Sequence, residues 1–180
     1  MTSRPNEELA KQNVIVKESP IHGLGVFATK NFESSELILV GDESRIVTPD
    51  NPLRRDKGEY EYHCDYLAGG KVILLPWPER HVNHRCDPNA YVKHIDGIRY
   101  DFARRQILAG EEITHDYCIN GFGNIVWYCK CGCARCRKII HADFFHLPLE
   151  LQIEYLPLLD DWYIEEYREK VEDLKRQIGL

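Results

Sequence analysis

Residues 128–138 read YCKCGCARCRK, which places four cysteines in eight positions, and some forty residues earlier residues 81–91 read HVNHRCDPNAY. Thiolates at that density suit a metal ion, and structural Zn²⁺ sites take four protein ligands in a tetrahedron. Two thiolate sets meet that need: the local Cys129, Cys131, Cys133 and Cys136, or three local thiols joined by the distant Cys86. In an extended stretch residues 129, 131 and 133 share a face, whereas Gly132 invites a turn that swings Cys133 outward. The chain has seven cysteines, an odd count, and their crowding favours ligation over a disulfide framework and a reducing compartment. Asn83-His84 with Pro88-Asn89 would be ordinary loop chemistry alone, and takes its weight from the segments that accompany it.

These residues must be held by short strands. From Asn13 to Val47 the apolar runs NVIV, VFAT and LILV alternate with the breakers SPIHGLG and NFESSE, a pattern of β-strands and turns. Pro49, Pro52 and Arg54–Gly58 make a polar loop. Residues 60–67 and 71–75 read as two further strands joined by Ala68-Gly69-Gly70. Residues 90–107 read as a strand pair around Asp96-Gly97, a strong hairpin signal. After the cysteines the period changes. Leu159, Trp162, Tyr163, Tyr167, Val171, Leu174 and Ile178 recur at helical steps, with Glu166/Lys170 and Glu172/Arg176 as i,i+4 pairs. Pro157 ends a first helix over about 148–156, and a longer one follows.

At 180 residues the chain fits one domain with a sizeable core, and no apolar run nears the roughly 18–20 residues that span a bilayer. MTSRPNEELAKQ carries no signal-peptide stretch, so a soluble, intracellular protein is expected, cytoplasmic or nuclear. A net charge of −6 argues against a non-specific grip on nucleic acid and mildly favours a basic, lysine-rich peptide partner.

Four segments then resemble, in order, the SET-domain protein-lysine methyltransferases. SPIHGLGVFAT (19–29) is similar to the family's opening glycine motif, and ERHVNHRCDPN (79–89) to its R-F-I-N-H-S-C-x-P-N segment. FARRQILAGEEITHDY (102–117) resembles the stretch that closes on Asp-Tyr, and CKCGCARCRK (129–138) the post-SET C-x-C-G-x-x-x-C-R. The resemblance implies a mainly β fold, the SET β-clip of short antiparallel sheets closed by a pseudoknot-like threading, with C-terminal α-helices added. It divides the chain into a flexible terminus (1–12), a SET domain (13–118), a post-SET zinc segment (119–140) and a helical extension (141–180).

It also implies a chemistry: transfer of a methyl group from S-adenosylmethionine to a lysine ε-amine of a protein substrate, with zinc as a structural ion. Gly23, Leu24 and Gly25 would lie against the cofactor, where a glycine lets backbone approach closely. Arg80, Asn83 and His84 fall on positions that contact the cofactor or support its pocket. Tyr62 matches a further cofactor-contacting tyrosine, with Tyr60 as the competing alignment, and Trp127 an aromatic packed on the adenine. Tyr117 matches the closing tyrosine whose hydroxyl lies beside the transferring methyl, both catalytic and cofactor-contacting. The metal ligands become Cys86, Cys129, Cys131 and Cys136, with Cys133 spare and Cys64 and Cys118 in packing.

His115 and Arg85 depart from the family. His115 replaces the tyrosine or phenylalanine that influences how many methyl groups are added, and Arg85 replaces a serine. The span from Arg45 to Tyr60 is short, so the surface that chooses the peptide is pared down. Two other readings stand beside the enzyme: a degenerate SET module that binds peptide or partner without turnover, and a nucleic-acid-binding zinc protein, which the acidic balance disfavours. The apolar stripe of the C-terminal helices either packs on the domain or forms a dimer contact.

Overall fold

A computed structural model describes residues 13–180; the expected frayed terminus, 1–12, lies outside the described residues. Twelve short strands are described in chain order: β1 (Val14–Glu18), β2 (Leu24–Ala28), β3 (Leu37–Val40), β4 (Ile46–Val47), β5 (Cys64–Leu67), β6 (Lys71–Leu74), β7 (Asn83–His84), β8 (Ala90–Ile95), β9 (Ile98–Ala103), β10 (Glu112–His115), β11 (Val126–Tyr128) and β12 (Ile139–His141). Three helices follow: α1 (Leu149–Tyr155), α2 (Asp161–Glu166) and α3 (Arg168–Ile178). The strands form four small sheets, ordered β1-β2-β10-β7, β3-β9-β8, β4-β6-β5 and β11-β12. All pairings are antiparallel except β7 with β10, which run parallel. This is the mainly β architecture expected, with helices at the C-terminal side.

Local chemistry accounts for most boundaries. Asp96 (φ 52°) and Gly97 (φ 73°) both adopt the left-handed conformation that a two-residue hairpin turn requires, and β8 and β9 pair from Ala90↔Ala103 to Ile95↔Ile98. The second strand stops at Ala103, short of the 107 expected, because Ile107 turns to bridge Phe32. The strand expected from residue 60 begins only at Cys64. Glu61–His63 form a 3₁₀ turn instead, which packs the Tyr62 and His63 rings edge to face.

Two apolar clusters hold the body. One, around Val26, Phe32, Ile38, Ile107 and Ile113, lies between the first sheets. The other joins Cys86, Cys118 and Ile140 to Phe144, Tyr163 and Val171, so the C-terminal helices share a core with the cysteine-rich segment. Leu159, Tyr163 and Val171 are fully buried within the single chain, so the stripe packs on its own domain. Each such side chain contributes about 1.5–3 kcal/mol. The long second helix is in fact two, broken at Tyr167 (φ −109°, ψ 29°). The expected i,i+4 pairs are also replaced. Glu172 pairs with Lys175, Arg176 with Asp173, and Glu166 accepts the Gly69 N–H at 2.9 Å, while the Lys170 ammonium lies over the Phe145 ring.

His94 on β8 ties these parts together. Its Nδ1 lies 2.7 Å from Asp160 Oδ2, at the start of α2, and its Nε2 contacts Glu43. Burial works against the charged ring, but the hydrogen bonds to Asp160 and Glu43 outweigh it and raise the pKa to about 9. A raised folded pKa contributes stability that is complete below the unfolded value of ~6.5 and is lost as pH climbs through the folded one. We therefore expect His94→Asn to be most destabilising near about pH 6. Its deficit against wild type should narrow by about 2–3 kcal/mol by about pH 10 in denaturant titrations. A gap independent of pH would contradict the assignment.

Candidate functional site

The sulphurs of Cys86, Cys129, Cys131 and Cys136 all lie within 4.8 Å of one another, with Cys86 and Cys129 at 3.8 Å. A tetrahedron with Zn–S bonds of ~2.3 Å has S···S edges of ~3.8 Å, so these thiols fit a tetrahedral thiophilic ion. Gly132 takes φ 69°, and the chain turns there as its lack of a Cβ allows. Cys133 lies 3.5 Å from Cys131 at the edge of the set, outside the group of four. Burial pushes the Cys86 thiol up and that of Cys129 to about 11. At Cys131 burial is outweighed by surrounding hydrogen bonds, which bring it to about 6. A dication would draw off the remaining protons.

His84 connects this cluster to the rest of the site. Its buried ring accepts the Tyr117 backbone N–H at Nδ1 (3.2 Å), so the ring proton sits on Nε2, which faces Cys86 Sγ at 3.4 Å. Burial lowers its pKa to about 4, with Arg137 adding to the effect and Asp116 opposing it; the ring is neutral and oriented. Asp116 meets the Arg137 guanidinium twice at 2.8 Å, fastening the cysteine-rich segment to the end of β10.

Around His84 the sequence candidates converge. The Tyr117 ring lies 5.3 Å from that of His84, Trp127 lies 5.3 Å from His84 and 6.1 Å from Tyr117, and β11 carries Trp127 opposite Ile140. Asn83 Nδ2 donates to His22 O (3.1 Å), Leu24 O (2.9 Å) and Glu112 Oε1 (2.9 Å), which pins the glycine turn against β7. Leu24 and Tyr117 stay about two-fifths exposed, so this convergence is open to a ligand. Tyr117 Oη donates to Val82 O at 2.7 Å; desolvation with the Asp65 and Glu112 carboxylates pushes its pKa up, so it keeps its proton.

Tyr62 and Arg80 belong to a different neighbourhood. Tyr62 is 70% exposed and stacks on Tyr60 at 5.1 Å, beginning a ladder of rings that continues through His63 and His81 to Trp77. Arg80 acts electrostatically on both histidines, and its Nε is buried without a hydrogen bond. Asn89 differs from a simple turn residue: its carboxamide donates to Glu112 O (2.8 Å) and accepts from Thr114 N (2.9 Å), standing in for a strand beside β10.

Sequence reasoning missed Glu112, whose Oε1 also accepts from Ser19 Oγ at 2.7 Å. Gly25 owes its identity partly to it. Gly23 adopts φ 48°, and a Cβ on Gly25 would stand 2.3 Å from Glu112 Oε1 and 2.9 Å from Ser19 Cβ. Gly25→Ala is expected to cost about 1–3 kcal/mol of stability by breaking this latch, measured by urea unfolding. A neutral result would mean that Glu112 moves aside freely. Also missed were Asp101 and Glu79, fully and almost fully buried beside His115 and Arg99. The alternation of IRYDFA hides Asp101, because the apolar residues Ile98, Tyr100 and Phe102 take the more open face.

Comparison with known proteins accords with this geometry. The SET domain family model matches residues 23–118, just over half the chain. The trithorax histone-lysine N-methyltransferase of Drosophila melanogaster is 33% identical over 151 residues, 78% of this chain and 4% of that protein. Human histone-lysine N-methyltransferase 2B is 32% identical over 156 residues, 78% of this chain and 6% of its own length. The H3 lysine-36-specific histone-lysine N-methyltransferase of Eremothecium gossypii is 44% identical over 138 residues, 69% of this chain and 20% of the relative. The chain thus spans a small fraction of each. Among the described residues no helix is long and apolar enough to cross a membrane. The strand order, the glycine turn pinned by Asn83, the anchored Tyr117 and the extended family match lead to one assignment: the chain belongs to the SET domain family.

Proposed function

We propose that the chain transfers a methyl group from S-adenosylmethionine to the ε-amine of a lysine in a basic, histone-type protein, within the cell and on its nuclear side. The observation that carries this is the Tyr117 hydroxyl, held by Val82 O beside the His84 and Trp127 rings. Gly23–Gly25, Asn83 and His84 would hold the cofactor from one side and Trp127 would cover its adenine. Arg80 and Tyr62 would form an outer wall. When bound, the cofactor supplies an electrophilic methyl on a sulfonium.

The chain's own residues then have defined tasks. Because Tyr117 spends its proton on Val82, its oxygen lone pairs are free to accept from a positively polarised methyl, and orientation is its contribution. A tyrosine pushed above its ordinary ~10 is a poor base at neutral pH. The lysine itself, with a reference pKa of ~10.4, is neutral only on the order of once in a few thousand near pH 7, so the site must take its proton or disfavour its charge. Zinc bound by Cys86, Cys129, Cys131 and Cys136 would be structural, closing the 119–140 segment against the 13–118 unit, with 141–180 packed behind it. The test is incubation with labelled cofactor and a panel of lysine peptides, read by intact mass. Added units of one methyl are expected. Binding of peptide and cofactor without transfer would instead make the chain a degenerate binding module.

A further inference from the structure

α2 lies outside the stretch that the family model matches, yet its two ends are fastened to two segments that carry groups of the site. At its start stands Asp160, 1% exposed. The Asp160 carboxylate accepts from the His94 backbone N–H (2.7 Å), Trp162 Nε1 (3.2 Å) and Asn120 Nδ2 (3.2 Å). Its own backbone N–H donates to Asn120 Oδ1 at 2.7 Å, so Asp160 and Asn120 are joined by two bonds. Asn120 sits in the turn that follows Tyr117. Tyr163, buried on α2, adds a bond from its Oη to Gly121 O at 2.9 Å. That turn is tight, since a Cβ on Gly121 would stand 2.6 Å from the Tyr117 carbonyl oxygen. A shift of α2 would therefore be passed to the Tyr117 backbone.

At the other end of α2, Glu166 accepts the Gly69 N–H at 2.9 Å. Gly69 (φ 66°) and Gly70 (φ 73°) form the tip of the β5–β6 hairpin. The hairpin belongs to the sheet β4-β6-β5, whose strands pair with none in the sheet that carries β10. With no ladder between the two sheets, side chains hold the hairpin in place. Asp65 on β5 lies 2.8 Å from Arg99 Nη1 on β9, and Glu166 holds the tip. The hairpin is also within electrostatic reach of Tyr117: after burial, the Asp65 carboxylate is the next cause that keeps the Tyr117 hydroxyl protonated. From Asp160 to Glu166 the helix advances about 9 Å, at about 1.5 Å per residue.

We propose that α2 is a strut that sets the spacing between the Tyr117 turn and the β5–β6 hairpin, with Asp160 and Glu166 as positioning residues at its ends. The two ends differ in strength. Asp160 is buried and bonded several times over, so its end is fixed. Glu166 is exposed and reaches the hairpin by one hydrogen bond, so its end is the one that opens. Local opening of this kind leaves the core folded. The strut touches neither substrate nor reacting atoms; it acts by keeping two segments at one distance. The inference rests on the methyltransferase reading, because the spacing matters to catalysis only if cofactor and peptide meet beside Tyr117.

The test uses the full chain and the lysine peptide most rapidly methylated in the panel. Glu166→Ala should raise the peptide KM by about three- to tenfold, the factor that a hydrogen bond of this kind supplies. The kcat should stay near that of wild type, because bound peptide selects the closed spacing and bears the cost in affinity. Glu166→Gln, whose carboxamide oxygen still accepts the Gly69 N–H, should restore the wild-type KM. Glu165→Ala, one residue away and paired with Arg168, should change nothing. An unchanged KM in Glu166→Ala overturns the strut. So does a Glu166→Gln protein that behaves like Glu166→Ala, or an equal loss in Glu165→Ala, since the bond to Gly69 would not be the cause. A second readout needs no turnover: the Gly69 amide should exchange faster with solvent in Glu166→Ala by a similar factor, and equal rates overturn the strut. A wild-type chain that methylates no peptide overturns the function instead, and the Gly69 rates still decide the strut.

Discussion

Tyr117→Phe lowers methyl transfer by on the order of 10²-fold or more while S-adenosylmethionine binds within a few-fold of wild type, as expected when one preorganised polar group at the reacting centre is removed. The hydroxyl makes one hydrogen bond, to Val82 O, and the ring contacts to His84 and Trp127 do not depend on it. The loss of stability should therefore be small, about 1 kcal/mol for the carbonyl left without its donor. Single-turnover kinetics with saturating cofactor, beside a calorimetric binding titration, measure the two effects separately. Turnover that survives the substitution would remove Tyr117 from the reaction.

Cys86→Ser should release the metal. Zinc content per chain drops from about one to near zero, and segment 119–141 loses its protection in hydrogen exchange, because structural zinc carries on the order of 10 kcal/mol of binding free energy. Cys133→Ser should retain the metal, since its sulphur lies outside the group of four. The reverse outcome would assign the ion to the local cysteines. Transfer activity should fall with Cys86→Ser although no ligand touches the substrate: Cys86 Sγ faces His84 Nε2, and His84 Nδ1 holds the Tyr117 backbone. Chelation of the wild-type protein should reproduce both effects.

Some of this was legible in the residues and some was not. The β8–β9 hairpin could be read because Asp96-Gly97 encodes its turn conformation locally. The helical stripe could be read because burial repeats along it, but the break at Tyr167 follows from tertiary packing against Phe145 and Phe122 and leaves no local mark. β7 is two residues long and pairs in parallel with a strand about thirty residues away, so no run of apolar residues announces it. Cys86 stands 43 residues from Cys129, and spacing alone leaves open whether it joins the cluster. Only the resemblance pointed there. The charged cluster was hidden for a different reason: period-two reading assigns the apolar face inward, and in β9 the inward face carries Arg99 and Asp101. Such an inversion is most informative where a site is built.

The shared core of the cysteine-rich segment and the helices has a practical consequence for anyone transplanting this unit. The recognisable family stretch stops at residue 118, yet Cys118 and Cys86 are packed against Phe144, Leu151 and Tyr163. A graft cut at residue 118 would lay bare that apolar surface and precipitate. The smallest portable piece is therefore set by where packing closes, at α3, and not by where the family model ends.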